Sequence, residues 1–201
     1  MSTSAQQSVF AIMLAAGAAS RFGSTKQLAK LHGVPLVRHA CMLANSCCQA
    51  RSVLVAGHDW RAVADACAPL PGYLIVNDNY ASGIASSIAL AVTAVRHAAH
   101  AVLVLLADQP MISVTHLQAL MAAWSGDEQE IVATSYAGVS GAPALFARGC
   151  FDSLAALRGD QGARALFGDA RFTVREIAYE AAAIDIDTVD DLLRLERNAR
   201  S

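Results

Sequence analysis

The segment Ala101-Val102-Leu103-Val104-Leu105-Leu106 has no polar member. A half-buried strand alternates apolar with polar side chains, so an unbroken apolar run suits a strand covered on both faces. Sheets are covered on both faces where parallel strands are joined by helical crossovers. A second run, Val9 to Leu14, has the same character. Strand-like and helix-like segments alternate along the rest of the chain. Strands are expected at 8–14, 52–56, 73–76, 101–106, 130–135 and 172–177. Helices are expected at 35–48, at 59–68 with Asp59 as cap, from Ser82-Gly83 to about 97, and from a Ser113 cap to 124. Shorter helices are expected at 151–157 and 161–167, and a closing one at 187–197. The stretch 138–143 reads as irregular. The pattern is that of an α/β fold, a Rossmann-like three-layer sandwich around a mostly parallel sheet. A length of 201 residues suits one domain spanning the whole chain, with a proper core.

Such sheets bind ligands beyond the carboxyl ends of their strands. The loop after Leu14 reads Ala15-Ala16-Gly17-Ala18-Ala19-Ser20-Arg21-Phe22-Gly23-Ser24-Thr25-Lys26. Its small residues let backbone approach a ligand closely, and Arg21 and Lys26 supply charge for a polyphosphate. It is not a P-loop, because Ser24-Thr25 separates Gly23 from Lys26, and it is not the G-x-G-x-x-G dinucleotide turn. An Ala/Gly turn carrying two solvated cations remains the alternative. Leu106 is followed by Ala107-Asp108-Gln109-Pro110. A carboxylate there suits a divalent cation bridging phosphates, although for this segment taken by itself Asp108 capping the next turn, helped by Pro110, is the better explanation. In Ile184-Asp185-Ile186-Asp187-Thr188, alternation places Asp185 and Asp187 on one face, where they repel unless a cation lies between them. The alternative is that Asp187 caps the last helix, with Asp190 and Asp191 in its first turn.

A net charge of −2 gives no case for nucleic acid or an anionic membrane as partner, and no apolar stretch is long enough to span a bilayer. The five cysteines form no Cys-x-x-Cys and suit a reducing, cytoplasmic setting; four sit on expected helices and read as buried structural thiols, and oxidation of the neighbours Cys47 and Cys48 is the lesser alternative. Residues 1–20 look superficially like a secretory signal. No Lys or Arg precedes the apolar run, and cleavage would remove the loop, so the segment is expected to be retained. His97 and His100 lack a third zinc ligand nearby, and no nucleophile elbow supports a Ser–His–Asp hydrolase.

In order along the chain these segments resemble the molybdopterin nucleotidyltransferases of the MobA-like NTP transferase family. That family carries L-A-A-G-x-S-x-R-x-G-x-x-K after its first strand. Here Leu14-Ala-Ala-Gly17, Arg21, Gly23 and Lys26 keep the register, with Ala19 at the family's serine and Ser20 beside it. Gly33-Val34-Pro35-Leu36 is similar to its G-x-P-L. The stretch from Asn79 through Gly83 to Ser87 resembles its N-x-x-x-G-x-x-x-S. Asp108-Gln109-Pro110 resembles the D-Q-P of the cytidylyl branch. Gly159-Asp160-Gln161-Gly162-Ala163-Arg164 and Asp185-Ile186-Asp187-Thr188 match its G-D-x-G-A-R and D-I-D-T. Similar enzymes carry a basic residue at Ser140 and a His or Asn at Ala142, so the chain departs from them on the acceptor side.

The resemblance implies the nucleotide-diphospho-sugar transferase type of fold and transfer of CMP from CTP, with Mg²⁺, to the phosphate of molybdopterin. Arg21, Lys26 and Asp108 would be catalytic. Leu14, Ala15, Ala16, Gly17, Arg21, Gly23, Lys26, Asn79, Gly83 and Ser87 would bind the nucleotide. Gly141, Pro143, Asp160 and Arg164 would meet the acceptor, and Asp108, Asp187 and Asp185 the metal. Ala16 stands where the guanylyl branch has glycine, which hints at cytosine. A molybdoenzyme or its maturation chaperone would be the onward partner. Transfer of GMP to molybdopterin, transfer of a nucleotide to a sugar phosphate, and a non-catalytic nucleotide-binding module are the alternatives.

Overall fold

The computed structural model describes residues 8–17, 22, 25–69 and 72–198. The elements in chain order are β1 (Val9–Ala15), β2 (Lys30–Leu31), β3 (Val34–Pro35), α1 (Leu36–Cys48), β4 (Ser52–Ala56), α2 (Trp60–Ala66), β5 (Tyr73–Val76) and α3 (Ile84–Val95). There follow β6 (Ala101–Leu106), α4 (Val114–Ala123), β7 (Glu130–Tyr136), β8 (Val139–Ala147), α5 (Phe151–Ala156), β9 (Thr173–Ala178) and α6 (Val189–Asn198). The main sheet runs β5-β4-β1-β6-β8-β7-β9. All its neighbours are parallel except where β8 pairs with β6 and β7. From β1 the chain winds outward through β4 and β5, then returns to the opposite side of β1 as β6. The strand order therefore reverses between β1 and β6, where a crevice opens beyond the strand ends. Leu14 and Leu106 pair directly at that edge.

The unbroken apolar runs form strands because both faces are covered. Ile12, Leu14, Val53, Val55, Val102 and Val104 face a core shared with α3 and α5. Ala11, Met13, Leu54, Leu103 and Leu105, the alternate positions, face α1, α2 and α4. A small third core joins Leu31 and Leu36 to Ile186, with Phe22, Leu192 and Leu195 against it. It fastens the hairpin of β2 and β3, which turns at His32-Gly33 with both φ angles positive, to the end of the chain.

The structure corrects several expectations. The stretch 138–143 is irregular only at Ala142-Pro143, where the register with β7 shifts; the rest is a turn and strand. Ala137 and Gly138, both at positive φ, make the two-residue turn of a hairpin, and β8 returns antiparallel along β7 into the core. Asp59 does not cap α2. Its backbone is left-handed and its side chain makes no cap bond; it accepts a hydrogen bond from the Thr25 hydroxyl instead. The helix expected at 161–167 is a short 3₁₀ turn, Ala163–Leu166. The cysteines are free thiols, and Cys41, Cys48 and Cys67 are buried as expected, as is Cys150; the sulfurs that lie close, 3.0 Å apart, are those of Cys41 and Cys67, between α1 and the end of α2. Among the described residues no helix is long and apolar enough to cross a membrane.

Candidate functional site

Beyond β1 and β6 lies an open cavity of about 340 Å³. One wall is Leu14, Ala16 and Gly17 from the end of β1, and another is Gly83, Ile84 and Ser87 at the start of α3. Lys26, Asp108 and Asp160 bring charge to it. The Ala15 side chain turns to the opposite face and is buried with Met13, because side chains alternate along β1, which leaves its backbone as the part expected near the nucleotide. Arg21 and Gly23 lie outside the described residues.

Lys26 and two carboxylates form the electrostatic centre. The Lys26 Nζ donates to Asp108 Oδ2 at 2.7 Å and to Asp187 Oδ1 at 2.9 Å, bridging residues far apart in sequence. Burial opposes the ammonium charge, yet the Asp108 and Asp187 carboxylates outweigh it and hold the lysine above its ordinary value. The backbone explains the convergence: Ile186 N–H donates to the Asp108 carbonyl at 3.0 Å, tying the closing segment to the turn after β6. Ile186 is fully buried in the small third core, so its neighbours Asp185 and Asp187 are turned outward together. Asp187 is not the cap of α6. Thr188 and Asp191 make a reciprocal cap: the Thr188 N–H and hydroxyl donate to Asp191 Oδ2 at 2.9 and 2.7 Å, and the Asp191 N–H donates to Thr188 Oγ1 at 3.2 Å. The Asp187 carboxylate is left to face Lys26. Asp185 does not join that grip. Desolvation and then the Asp108 charge push its carboxyl up to about 6.

Among the described residues three buried side-chain oxygens have no hydrogen-bond partner, Asp108 Oδ1, Gln109 Oε1 and Gln27 Oε1, and all three lie in this region. Gln27 Nε2 donates to the Gly17 carbonyl at 2.9 Å and so holds the first loop against the cavity. An unpartnered carboxylate oxygen beside a second carboxylate fits a hard cation such as Mg²⁺ or Mn²⁺. Among the described residues no cluster of three or more His, Cys, Asp or Glu is arranged to hold a metal ion. A cation here would therefore take Asp108 and Asp187 and complete its shell with water and phosphate oxygens.

Gly83 and Ser87 line the cavity, but Asn79 does not. Asn79 sits in the preceding turn, where its N–H donates to Asn77 Oδ1. The organising side chain is the buried Asn77, whose Nδ2 donates to Ser86 Oγ at 2.8 Å and Ser87 Oγ at 2.9 Å. Gly83 has a φ of +104°, and a Cβ there would lie 2.2 Å from the Gly159 carbonyl oxygen. That contact and the Ala85 N–H bond to Gly159 O, 3.1 Å, dock the loop carrying Asp160 and Arg164 onto the start of α3. Gly141 and Arg164 line a neighbouring cavity with Asp160, whereas Pro143 does not and instead accepts the Thr134 hydroxyl through its carbonyl. The residues that sequence reasoning missed are Gln27, Asn77, Tyr80 and Ile84. The signal for Asn77 was its polarity directly after the β5 run.

The sequence profile of the MobA-like NTP transferase domain matches residues 11–175. Nicotine blue oxidoreductase of Paenarthrobacter nicotinovorans is 32% identical over 200 residues, which covers 93% of this chain and 96% of that protein. The structure of Rv0371c from Mycobacterium tuberculosis H37Rv superposes with a TM-score of 0.83 at 28% identity, covering 95% of this chain and 98% of that one. A second structure of Rv0371c, in complex with manganese, superposes with a TM-score of 0.78 at 27% identity over 95% of this chain and 99% of that one. Molybdopterin-guanine dinucleotide biosynthesis protein A from Archaeoglobus fulgidus shares the fold, with a TM-score of 0.69 at 20% identity over 94% of this chain and 98% of that one.

Proposed function

The chain belongs to the MobA-like NTP transferase family, and from that premise we propose that it acts as a single-domain transferase moving CMP from CTP to the phosphate of a molybdopterin-type acceptor. The observation that carries the reading is Lys26 held between Asp108 and Asp187 at the crevice where the strand order reverses. A nucleotide lies with its base and sugar against Leu14, Gly83 and Ser87 and its phosphates over Ala16, Gly17 and Lys26. The acceptor phosphate oxygen forms a bond to the α-phosphorus, the bond from that phosphorus to the β-bridging oxygen breaks, and pyrophosphate leaves. A phosphate monoester is already an anionic nucleophile near neutral pH, so no strong general base is needed. The barrier is the approach of anions, which positioning and charge compensation lower.

Asp108 and Asp187 would hold Mg²⁺, which supplies Lewis-acid polarisation of phosphate oxygens. The Lys26 ammonium turns from these carboxylates to the triphosphate and stabilises charge on the leaving pyrophosphate. Gln27 keeps the Gly17 backbone at the cavity, and Gly83 leaves room for the loop that closes it. Arg21, from the same loop, adds a second cation, and Asp160, Arg164 and Gly141 receive the acceptor. A non-catalytic binding module would not need a paired carboxylate site beside the phosphates. The test is Mg²⁺-dependent pyrophosphate release from CTP and GTP with molybdopterin. Release with neither nucleotide refutes the reading, and a preference for GTP moves it to guanylyl transfer.

A second reading has an observation of its own. The relative from Paenarthrobacter nicotinovorans is named an oxidoreductase, and an apolar cavity adjoins the nucleotide cavity. Reduction of a ring compound by a nicotinamide nucleotide bound in the same crevice would use both. Loss of NADH or NADPH absorbance on adding an oxidised aromatic dye, without pyrophosphate release from CTP, would favour it over transfer.

A further inference from the structure

The second cavity, about 290 Å³, shares Leu14, Ile84, Leu106 and Asp160 with the nucleotide cavity. Its inner walls are Ile88, Val104, Ala144, Phe146 and Phe167. Phe146 and Phe167 are stacked, with centroids 6.1 Å apart and planes 15° from parallel. The polar side chains of its lining are Tyr136, Asp160 and Arg164, of which Asp160 and Arg164 are exposed and so stand at the rim. Among the described residues no carboxylate forms an ion pair with Arg164. Gly141 is shaped to this rim, since a Cβ there would lie 2.2 Å from the Tyr136 hydroxyl.

We infer that this cavity takes a flat, uncharged ring of the second substrate, with an anionic substituent of that ring held at the rim by Arg164 and Tyr136. The inference rests on the proposal that a second substrate meets the nucleotide in this crevice. A ring with polar edges must turn them to Tyr136, Asp160 and Arg164, because Ile88, Val104 and Phe146 offer no hydrogen bonds to replace those lost from water. The volume lies near the lower edge of small-ligand sites, roughly 300–1,000 Å³, and so admits one ring system rather than a whole dinucleotide. Arg164 offers a planar fork suited to a phosphate or carboxylate. The shared wall keeps the ring against the nucleotide without competing for its place. The departures at Ser140 and Ala142 fit the same picture. Ser140 is drawn away to the Glu176 carboxylate, and Ala142 adds apolar surface to the cavity.

The test uses naphthoate, a flat carboxylate, and naphthamide, its uncharged counterpart, titrated into the full chain by calorimetry. One saturable site per chain is expected, with naphthoate the tighter ligand. Ala163→Leu, which fills the cavity from its loop side, is expected to weaken both probes about tenfold or more. Arg164→Gln, a change at an exposed position, should weaken naphthoate about tenfold and leave naphthamide unchanged. Absence of a saturable site, or binding indifferent to both substitutions, overturns the inference. Equal affinity for the two probes overturns the role of Arg164. CTP with Mg²⁺ is measured on the same samples by thermal shift. Naphthoate binding without any CTP effect would refute nucleotide transfer and leave the ring site standing, whereas CTP binding without naphthoate binding would do the reverse.

Discussion

Replacing Lys26 by Met separates the electrostatics of the crevice from its packing. Met has a comparable length and no charge, so the substitution leaves the Asp108 and Asp187 carboxylates facing one another. In the native arrangement the lysine side chain is 13% exposed, Asp108 25% and Asp187 57%. Exposed ion pairs contribute about 0–1 kcal/mol, and removing one partner from a buried pair costs about 3–5 kcal/mol. The Lys26–Asp108 contact lies between these limits and the Asp187 contact near the lower one, so a loss of about 1–3 kcal/mol is expected without metal. The same term works in the opposite direction for a divalent cation. In the native protein a metal must compete with the ammonium for both carboxylates, and in Lys26→Met it does not. Relief of about 1.4 kcal/mol corresponds to a tenfold change in affinity. The variant should therefore bind Mn²⁺ about tenfold more tightly in the absence of nucleotide, as read by the loss of the free-ion paramagnetic resonance signal. Mg²⁺ should raise its melting temperature more than that of the native chain. Affinity for CTP should fall at the same time, because the triphosphate loses the cation. Equal or weaker Mn²⁺ binding by the variant would refute the idea that lysine and metal share these carboxylates.

Gly83→Ala should cost roughly 2 kcal/mol or more in urea denaturation and weaken CTP binding, because the new Cβ meets Gly159 O at 2.2 Å and Asp160 Oδ1 at 2.6 Å on a backbone with φ of +104°; stability within error of native would contradict that packing. Thr188→Ala should lower stability by about 1 kcal/mol and leave the Mg²⁺ requirement alone, since Thr188 caps α6, whereas Asp187→Asn should leave stability nearly unchanged and raise the Mg²⁺ needed for half-maximal turnover; the opposite pattern would show that Asp187 serves the helix. Thr134→Val should cost about 1–3 kcal/mol, because it leaves the Pro143 carbonyl and the buried His116 Nε2, 2.8 Å from the Thr134 hydroxyl, without their partner. Burial pushes His116 below its ordinary value, so its contribution to stability is full above about pH 6.5 and is lost as the pH falls below that; His116→Gln should flatten that decline in urea denaturation measured across the acid range, and an unchanged slope would rule the residue out.

The parts of the fold legible in the sequence are those where one local signal had one physical meaning. Residues 52–56, 73–76 and 101–106 form strands over the expected spans because each run is short, apolar and β-branched or leucine-rich, and both faces of the inner strands are covered. Serine at 113 predicted a cap and makes one, its hydroxyl accepting from His116 N–H. Where two meanings competed, local reasoning chose the commoner one and tertiary context the other. Gly138 to Pro143 has the composition of a loop, yet Gly141 is required by the Tyr136 ring crossing it and Gly138 by the hairpin turn, so the same residues build that turn and the partly exposed start of β8, which is buried from Pro143 onward. Asp59 and Asp187 both stand before helices and looked like caps. Thr25 claims the first, and Thr188 relieves the second. The candidate site divides in the same way. Lys26, Asp108 and Asp187 were nameable because charge at a strand end is visible in one dimension, but their meeting depends on a backbone bond from Ile186 to Asp108 that no spacing encodes. The apolar cavity had no sequence signature at all, since Ile88, Val104, Ala144 and Phe167 come from four separate segments and each alone reads as ordinary core. Charged chemistry at this crevice is thus written locally. The shape that selects the second substrate arises only where α3, β6, β8 and the loop after α5 come together.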